Sequence, residues 1–195
     1  MRKANYNDKD RVVQILSESF DNNPHFNYII KNDKRRKKRI TRLARYAFEY
    51  GIQRNGIYIS ENGYGVAIIF NSDKLKNTLR DYWFQLVLVL KVFGITRSLK
   101  VHKLETTIKR IRPTSKQFLY FWFLGVANKG RGSNAARELQ QFIFDLSYRK
   151  NLPILLETTT MRNKLIYNRY GIKDYYLYTE NNGELNVWFL YRNPA

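Results

Sequence analysis

Cysteine is absent from the 195 residues, so disulfide frameworks, thiol nucleophiles and thiolate metal sites are all excluded. Histidine is nearly absent. His25 and His102 are the only imidazoles, too few for a zinc ligand set, and no metal site is expected. The 4 prolines and 10 glycines form no linker, and no internal repeat or low-complexity tract appears. No apolar run is long enough to cross a bilayer. The opening stretch MRKANYNDKD lacks the apolar core of a secretory signal, which leads to the expectation of a cytoplasmic protein. Acids are scarce as well: 16 Asp and Glu face 35 Lys and Arg, for a net charge of +19.

What is present is enough to fold. Hydrophobic residues make up 44% and aromatics 15%, and the length suits one domain spanning 1–195. The charge calls for anionic company, whether nucleic acid, anionic lipid, acidic protein or a polyanionic cofactor, without choosing among them.

Periodicity outlines the elements. Asp8–Phe20 carries Val12, Val13, Ile15, Leu16 and Phe20 on one helical face, with Asp8 as a candidate N-cap. DNNP (Asp21–Pro24) breaks the chain and leaves His25 in a loop. Lys34–Tyr50 is a second helix with a dense basic face. Gly56–Ser60 and Tyr64–Phe70 read as strands around Asn62-Gly63, a strong hairpin signal. Lys76–Gly94 and Ile95–Arg112 read as further helices, the second ending at Pro113. Gln117–Val126 is a strand, Ser133–Lys150 a helix, Pro153–Glu157 a buried strand and Arg162–Tyr170 a short helix closed by Gly171. Tyr175–Thr179 and Leu185–Tyr191 form a last hairpin around Asn182-Gly183. The expected class is α+β, with one parallel crossover between the strands at Gln117 and Pro153.

The segment FLGVANKGRGSNAARELQ carries the most chemistry. A strand ends near Val126 and a helix opens near Ser133. Gly130 and Gly132 permit backbone that lets successive N–H groups converge. The new helix adds unpaired donors and the positive end of its dipole, and Lys129 and Arg131 add charge. This is a pyrophosphate cradle by composition. Glycine here could also serve sterics alone. The same residues spell G-x-G-x-x-A (Gly130, Gly132, Ala135), with Glu157 as a ribose acid in a dinucleotide-binding protein. That reading requires further βα units, and an antiparallel hairpin follows instead.

With these residues in view, the chain resembles the GNAT superfamily of N-acetyltransferases. LGV at Leu124–Val126, KGRGSN at Lys129–Asn134, LET at Leu156–Thr158 and NKLIYNRYGI at Asn163–Ile172 follow the family's order and spacing. Lys129, Asn134 and Ile172 stand where Gln or Arg, Gly or Ala, and Phe are usual. The resemblance implies a mostly antiparallel central sheet flanked by helices, with a splayed parallel pair of strands holding acetyl-CoA. It places the acceptor side in 1–113 and the acetyl-CoA core in 114–195. The pantetheine arm would pair near Leu124, Gly125 and Val126, and the pyrophosphate would sit on the amides of Lys129, Gly130, Arg131, Gly132, Ser133 and Asn134. Asn163 would bind the cofactor arm. Tyr167 would act as general acid toward the thioester sulfur, where phenol and thiol acidities are close. The Val126 N–H would serve as oxyanion donor.

Glu157 is the candidate general base, although it could equally cap a helix or pair with a cation, and His25 is a second candidate. The acceptor would be a small-molecule or peptide amine. Nine Lys/Arg between Lys31 and Arg45 against one acid, Asp33, are compatible with a nucleic acid or an anionic membrane surface. A basic nucleic-acid-binding module on the same fold is therefore the alternative function. Trp83–Ile95 (WFQLVLVLKVFGI) is expected as a buried helix lining the acceptor cleft or as a homodimer contact; peripheral membrane contact is the further option.

Overall fold

A computed structural model describes residues 1–113, 117–180 and 183–194. Among these residues, seven α-helices surround one seven-stranded sheet. The helices are α1 (Lys9–Phe20), α2 (Pro24–Ile29), α3 (Arg36–Gln53), α4 (Leu79–Leu88), α5 (Ile95–Ile111), α6 (Ala135–Lys150) and α7 (Met161–Arg169). The strands are β1 (Arg2–Lys3), β2 (Ile57–Ile59), β3 (Gly65–Asn71), β4 (Leu119–Val126), β5 (Ile154–Thr158), β6 (Lys173–Glu180) and β7 (Leu185–Arg192). Their order in the sheet is β1-β2-β3-β4-β5-β7-β6. Every neighbouring pair is antiparallel except β4 and β5, as expected of the mixed sheet.

The alternation of side chains along a strand builds two cores. Val66, Ile68 and Phe70 of β3 face α1, α3 and α5, whereas Ala67 and Ile69 face α6. The α6 side is closed by Leu139 and Ile143 against Leu119, Phe121, Leu156 and Leu190.

Several expectations need correction. The break at Asp21–Pro24 is in fact the start of α2: Asn23 Oδ1 accepts from the His25 N–H at 2.9 Å, and Pro24 occupies the first turn. His25 therefore rides on a helix rather than a loop. Asp8 does not cap α1 with its side chain. It is held instead by the Asn5 N–H at 2.9 Å and by Arg2 at 2.7 Å. The helix expected from Ser133 begins at Ala135, because Asn128–Gly130 already forms a tight helical turn of its own. At Asn62-Gly63 only Gly63 has positive φ (74°), which excludes a type I′ turn, and the last paired residues are Ile59 and Val66, so the loop is wider than two residues. Asn182, of the last expected turn, lies outside the described residues. β1 has no counterpart among the expected elements, since two basic residues carry no periodic signal.

Lys76–Gly94 departs furthest. α4 starts only at Leu79, behind a Thr78/Asp81 capping box, and ends in a π-turn (Val89–Phe93) before Gly94 at φ 74°. It is not a buried helix: Trp83, Leu86 and Leu90 are exposed, while Leu88 and Val92 face the core. Its anchor is polar. Asp81 is wholly buried and pairs with Arg54 at the end of α3, Nη2 to Oδ2, at 2.5 Å.

Candidate active site

The site begins with a defect in β4. Its register against β3 steps from Ile68↔Phe123 to Ile69↔Phe121, leaving Trp122 as an extra residue. Trp122 and Phe123 consequently pack on the same side of the sheet, against the core that α1 and α3 cover. A bulge bends its strand and strengthens the local twist. β4 accordingly parts from β5: only Leu119↔Ile154 and Tyr120↔Leu155 are paired.

The bulge also reverses which amides face which neighbour. Before it, the Leu119 N–H donates to the Pro153 carbonyl on the β5 side at 2.7 Å. After it, the Ala127 N–H donates to Tyr64 on the β3 side at 2.8 Å. Alternation then turns the peptide groups of Leu124 and Val126 into the gap left by β5. Gly125 plays another part: a Cβ there would stand 2.6 Å from Ser19 Oγ, so glycine lets α1 close onto the strand.

Beyond Val126 the chain makes its tight turn. The amides of Gly130, Arg131 and Ser133 bond to the carbonyls of Ala127 (2.8 Å), Asn128 (3.3 Å) and Gly130 (3.1 Å). These three therefore point inward, and the amides of Lys129, Gly132 and Asn134 are the ones left free among the described residues. Gly130 is packed so closely that a Cβ would meet that of Tyr64 at 2.4 Å; Gly132, at φ +83°, faces open space. The first amide bonded within α6 is that of Glu138, to Asn134 at 2.9 Å. Of the preceding turn only the Ala135 N–H is engaged among the described residues, weakly, by Ser133 Oγ at 3.4 Å, and the rest is open at the helix's positive end. Lys129 and Arg131 are exposed beside it. The Glu18 carboxylate is held on this loop by the Asn128 N–H at 2.6 Å. That bond first, with Gln14 and the charges of Arg131 and Lys129, keeps it below the ordinary range.

The far wall of the gap is α7. Thr160 caps it by accepting from the Asn163 N–H at 3.3 Å, and Gly171 (φ +78°) closes it with Ile172 N–H on the Tyr167 carbonyl at 3.0 Å. Asn163 and Tyr167, one turn apart, line the same cavity as Leu124, Thr158 and Thr159. The Tyr167 ring stands edge-on to Phe121 at 6.1 Å, and its hydroxyl has no hydrogen-bond partner among the described residues. Burial pushes that phenol up to about 12. The expected match with a thiol, at about 8.5, does not hold at this position.

The cavity, about 990 Å³, runs from this gap into a chamber between β4 and the early helices. Its walls are aromatic: Phe20, Phe26, Tyr46, Tyr50, Trp122 and Phe123. Glu157 lies in it but is fully engaged. Arg112 Nε donates to Oε1 at 2.8 Å, the Tyr120 hydroxyl donates to Oε2 at 2.7 Å, and the Arg112 guanidinium lies over the Tyr120 ring at 4.0 Å. Burial raises the Tyr120 phenol well above its ordinary value.

Glu105 on α5 lines the same chamber, half-buried, with no hydrogen bond or ion pair among the described residues. It is not among the candidates read from the sequence, although a signal for it exists. It is the only acid of α5 and shares a face with the buried Leu104 and Ile108. The His25 imidazole is lowered by burial, against the charges of Glu105 and Glu157, so it is neutral near pH 7.

The basic helix is less free than its composition implies. Arg36 donates to the Asp21 carbonyl at 2.6 Å, Arg39 pairs with Asp33 at 2.6 Å, and Arg42 donates to the Lys91 carbonyl at 3.1 Å.

No protein-family model matches the chain, and no curated protein sequence does. Solved structures do. The Corynebacterium glutamicum histone acetyltransferase HPA2 and related acetyltransferase is 19% identical, over 100% of this chain and 95% of that one, with a TM-score of 0.68. Arylalkylamine N-acetyltransferase 2 of Aedes aegypti is 13% identical over 100% and 98%, with a TM-score of 0.65. The NatC complex bound to Gag peptide and CoA is 11% identical over 100% and 97%, with a TM-score of 0.56. The chain thus has the fold of the GNAT N-acetyltransferases.

Proposed function

We propose that the protein is an N-acetyltransferase that moves the acetyl group of acetyl-CoA to the primary amine of a small acceptor with an apolar body. One observation carries the reading. Past Tyr120 the parallel strands part, which turns the Leu124 and Val126 peptide groups toward an open wedge beside Tyr167, with the open N-terminus of α6 beyond. An extended pantetheine arm would complete that edge as an added strand. Its diphosphate would meet the free amides of Lys129, Gly132 and Asn134 and the first turn of α6.

Acetyl-CoA supplies the activated acyl group. The chain's own residues do the rest. The Val126 N–H, pointed into the wedge, stabilises negative charge on the carbonyl oxygen. Tyr167, held protonated by burial, donates a hydrogen bond to the leaving sulfur; full proton transfer from so weak an acid is uphill. Glu157, held by Arg112 and Tyr120, shapes the wall. The acceptor enters as an ammonium, loses one proton to solvent and attacks as the free amine. His25, neutral and facing the chamber, accepts the second proton as the amide forms, and CoA leaves as its thiolate.

Glu105 is the ammonium's counter-ion. A chamber with aromatic walls and this half-buried carboxylate, unpaired among the described residues, suits a cation on an apolar body, and the arylalkylamine enzyme of the same fold agrees with this. Asp73, the other acid of the lining beside the paired Glu157, is exposed. A nucleic-acid-binding module would leave both chamber and wedge without use. The test is turnover of 2-phenylethylamine against spermidine. We expect phenylethylamine to have the higher kcat/KM. Losing a charge-assisted contact in Glu105→Gln should raise its KM about 10- to 100-fold with a smaller change in kcat. Preference for spermidine, or an unchanged KM, refutes the acceptor assignment.

A further inference from the structure

The segment that closes the chamber has a second face. Inward, Asp81, Leu88 and Val92 are buried. Outward, Leu79, Tyr82, Trp83, Leu86 and Leu90 follow helical spacing and stand in solvent, Leu79 at 89%, Trp83 at 64% and Leu90 at 66% exposure. After Gly94 the stripe continues with Ile95 and Leu99 at 77% and 70%. Isolated apolar residues on a surface are ordinary; five large ones on one helical face, with two more exposed just after Gly94, make an interaction surface.

Charge says what covers it. Between residues 79 and 112 the only acids are Asp81, wholly buried against Arg54, and Glu105, turned into the chamber. Most cations of the same stretch lie outward, with Lys91, Lys100, Lys103 and Arg110 exposed, whereas Arg112 is turned into the chamber against Glu157. A second copy of a chain with net charge +19 would bring like charges together here. No helix among the described residues is long and apolar enough to cross a membrane. An apolar stripe flanked by lysines on a non-spanning helix is the arrangement that lies in a lipid interface.

We propose that the outer face of α4, the π-turn and the start of α5 docks onto an anionic lipid bilayer. Trp83 and Leu90 insert among the headgroups, and the lysines of α5 meet the phosphates. The inner face of the same segment lines the chamber, so docking sets the acceptor cavity beside the lipid surface. The surface stands independently of the acetyl-transfer reading.

The test is co-sedimentation of the whole protein with phosphatidylcholine vesicles, plain or containing about one-third phosphatidylserine. We expect binding to the anionic vesicles, weakened by salt, with a blue shift of tryptophan emission that disappears in Trp83→Phe. The double variant Trp83→Ala/Leu90→Asp should lower partitioning at least about tenfold, with an unchanged melting temperature because both side chains are exposed. Three results overturn the proposal: no binding to anionic vesicles, binding that the double variant leaves intact, or a concentration-dependent dimer in sedimentation that the double variant abolishes.

Discussion

Tyr167→Phe is expected to lower kcat about 10²-fold while CoA affinity changes by no more than about threefold. The hydroxyl is the only atom group removed, and it has no partner among the described residues, so neither folding nor the Phe121 contact depends on it. Its contribution arises only when negative charge develops on the leaving sulfur. Because burial raises the phenol to about 12, the hydroxyl is protonated throughout the working range, and the variant should leave the shape of the pH–rate profile unchanged. Single-turnover transfer together with a CoA titration separates the two quantities. Unchanged turnover would reduce Tyr167 to a packing residue.

The largest stability effect is expected at Arg54. Its guanidinium holds Asp81, lies over the Tyr50 ring at 3.4 Å, and donates to the Lys74 and Lys76 carbonyls at 2.8 and 2.9 Å. Arg54→Ala leaves a wholly buried carboxylate with only Thr78 as donor, a loss of about 3–5 kcal/mol in urea unfolding. The pH dependence should change sign. In the wild type, burial pushes the Asp81 carboxyl up, but Arg54 and Thr78 outweigh it and hold it below its ordinary value. That stability is present above about pH 4 and disappears as pH falls through the lowered value. Without Arg54, burial dominates and the carboxyl titrates higher. Lowering the pH from about 7 to 5 should then restore part of the loss. An equal loss at both pH values would mean that Asp81 finds water or another cation.

Patterns with a strong period are legible in the amino-acid order alone: α1, α3, α6, the strands from β2 to β7 and the single parallel crossover. The wedge is only half legible. The motif residues mark where it lies, but the cause of the splay, one extra residue at Trp122, leaves no trace in a run of aromatics that reads as strand in either register. Composition overstates the cradle because it cannot say which amides a turn keeps for itself, and this one keeps those of Gly130, Arg131 and Ser133. Glu157 stays open in the sequence between a free base and a paired carboxylate, because its partner Arg112 lies 45 residues earlier in the chain. α4 reads as buried since apolar composition normally implies a core. Here half its apolar face has no cover among the described residues, and a buried Arg54–Asp81 pair does the anchoring.

Calorimetric titration of the protein with CoA tests the wedge most directly. The account predicts a saturable single site whose affinity falls at least about tenfold when Gly132→Asp places a carboxylate at the free amides, without a change in melting temperature beyond the strain at φ +83°. A flat titration, or full affinity in Gly132→Asp, would contradict it.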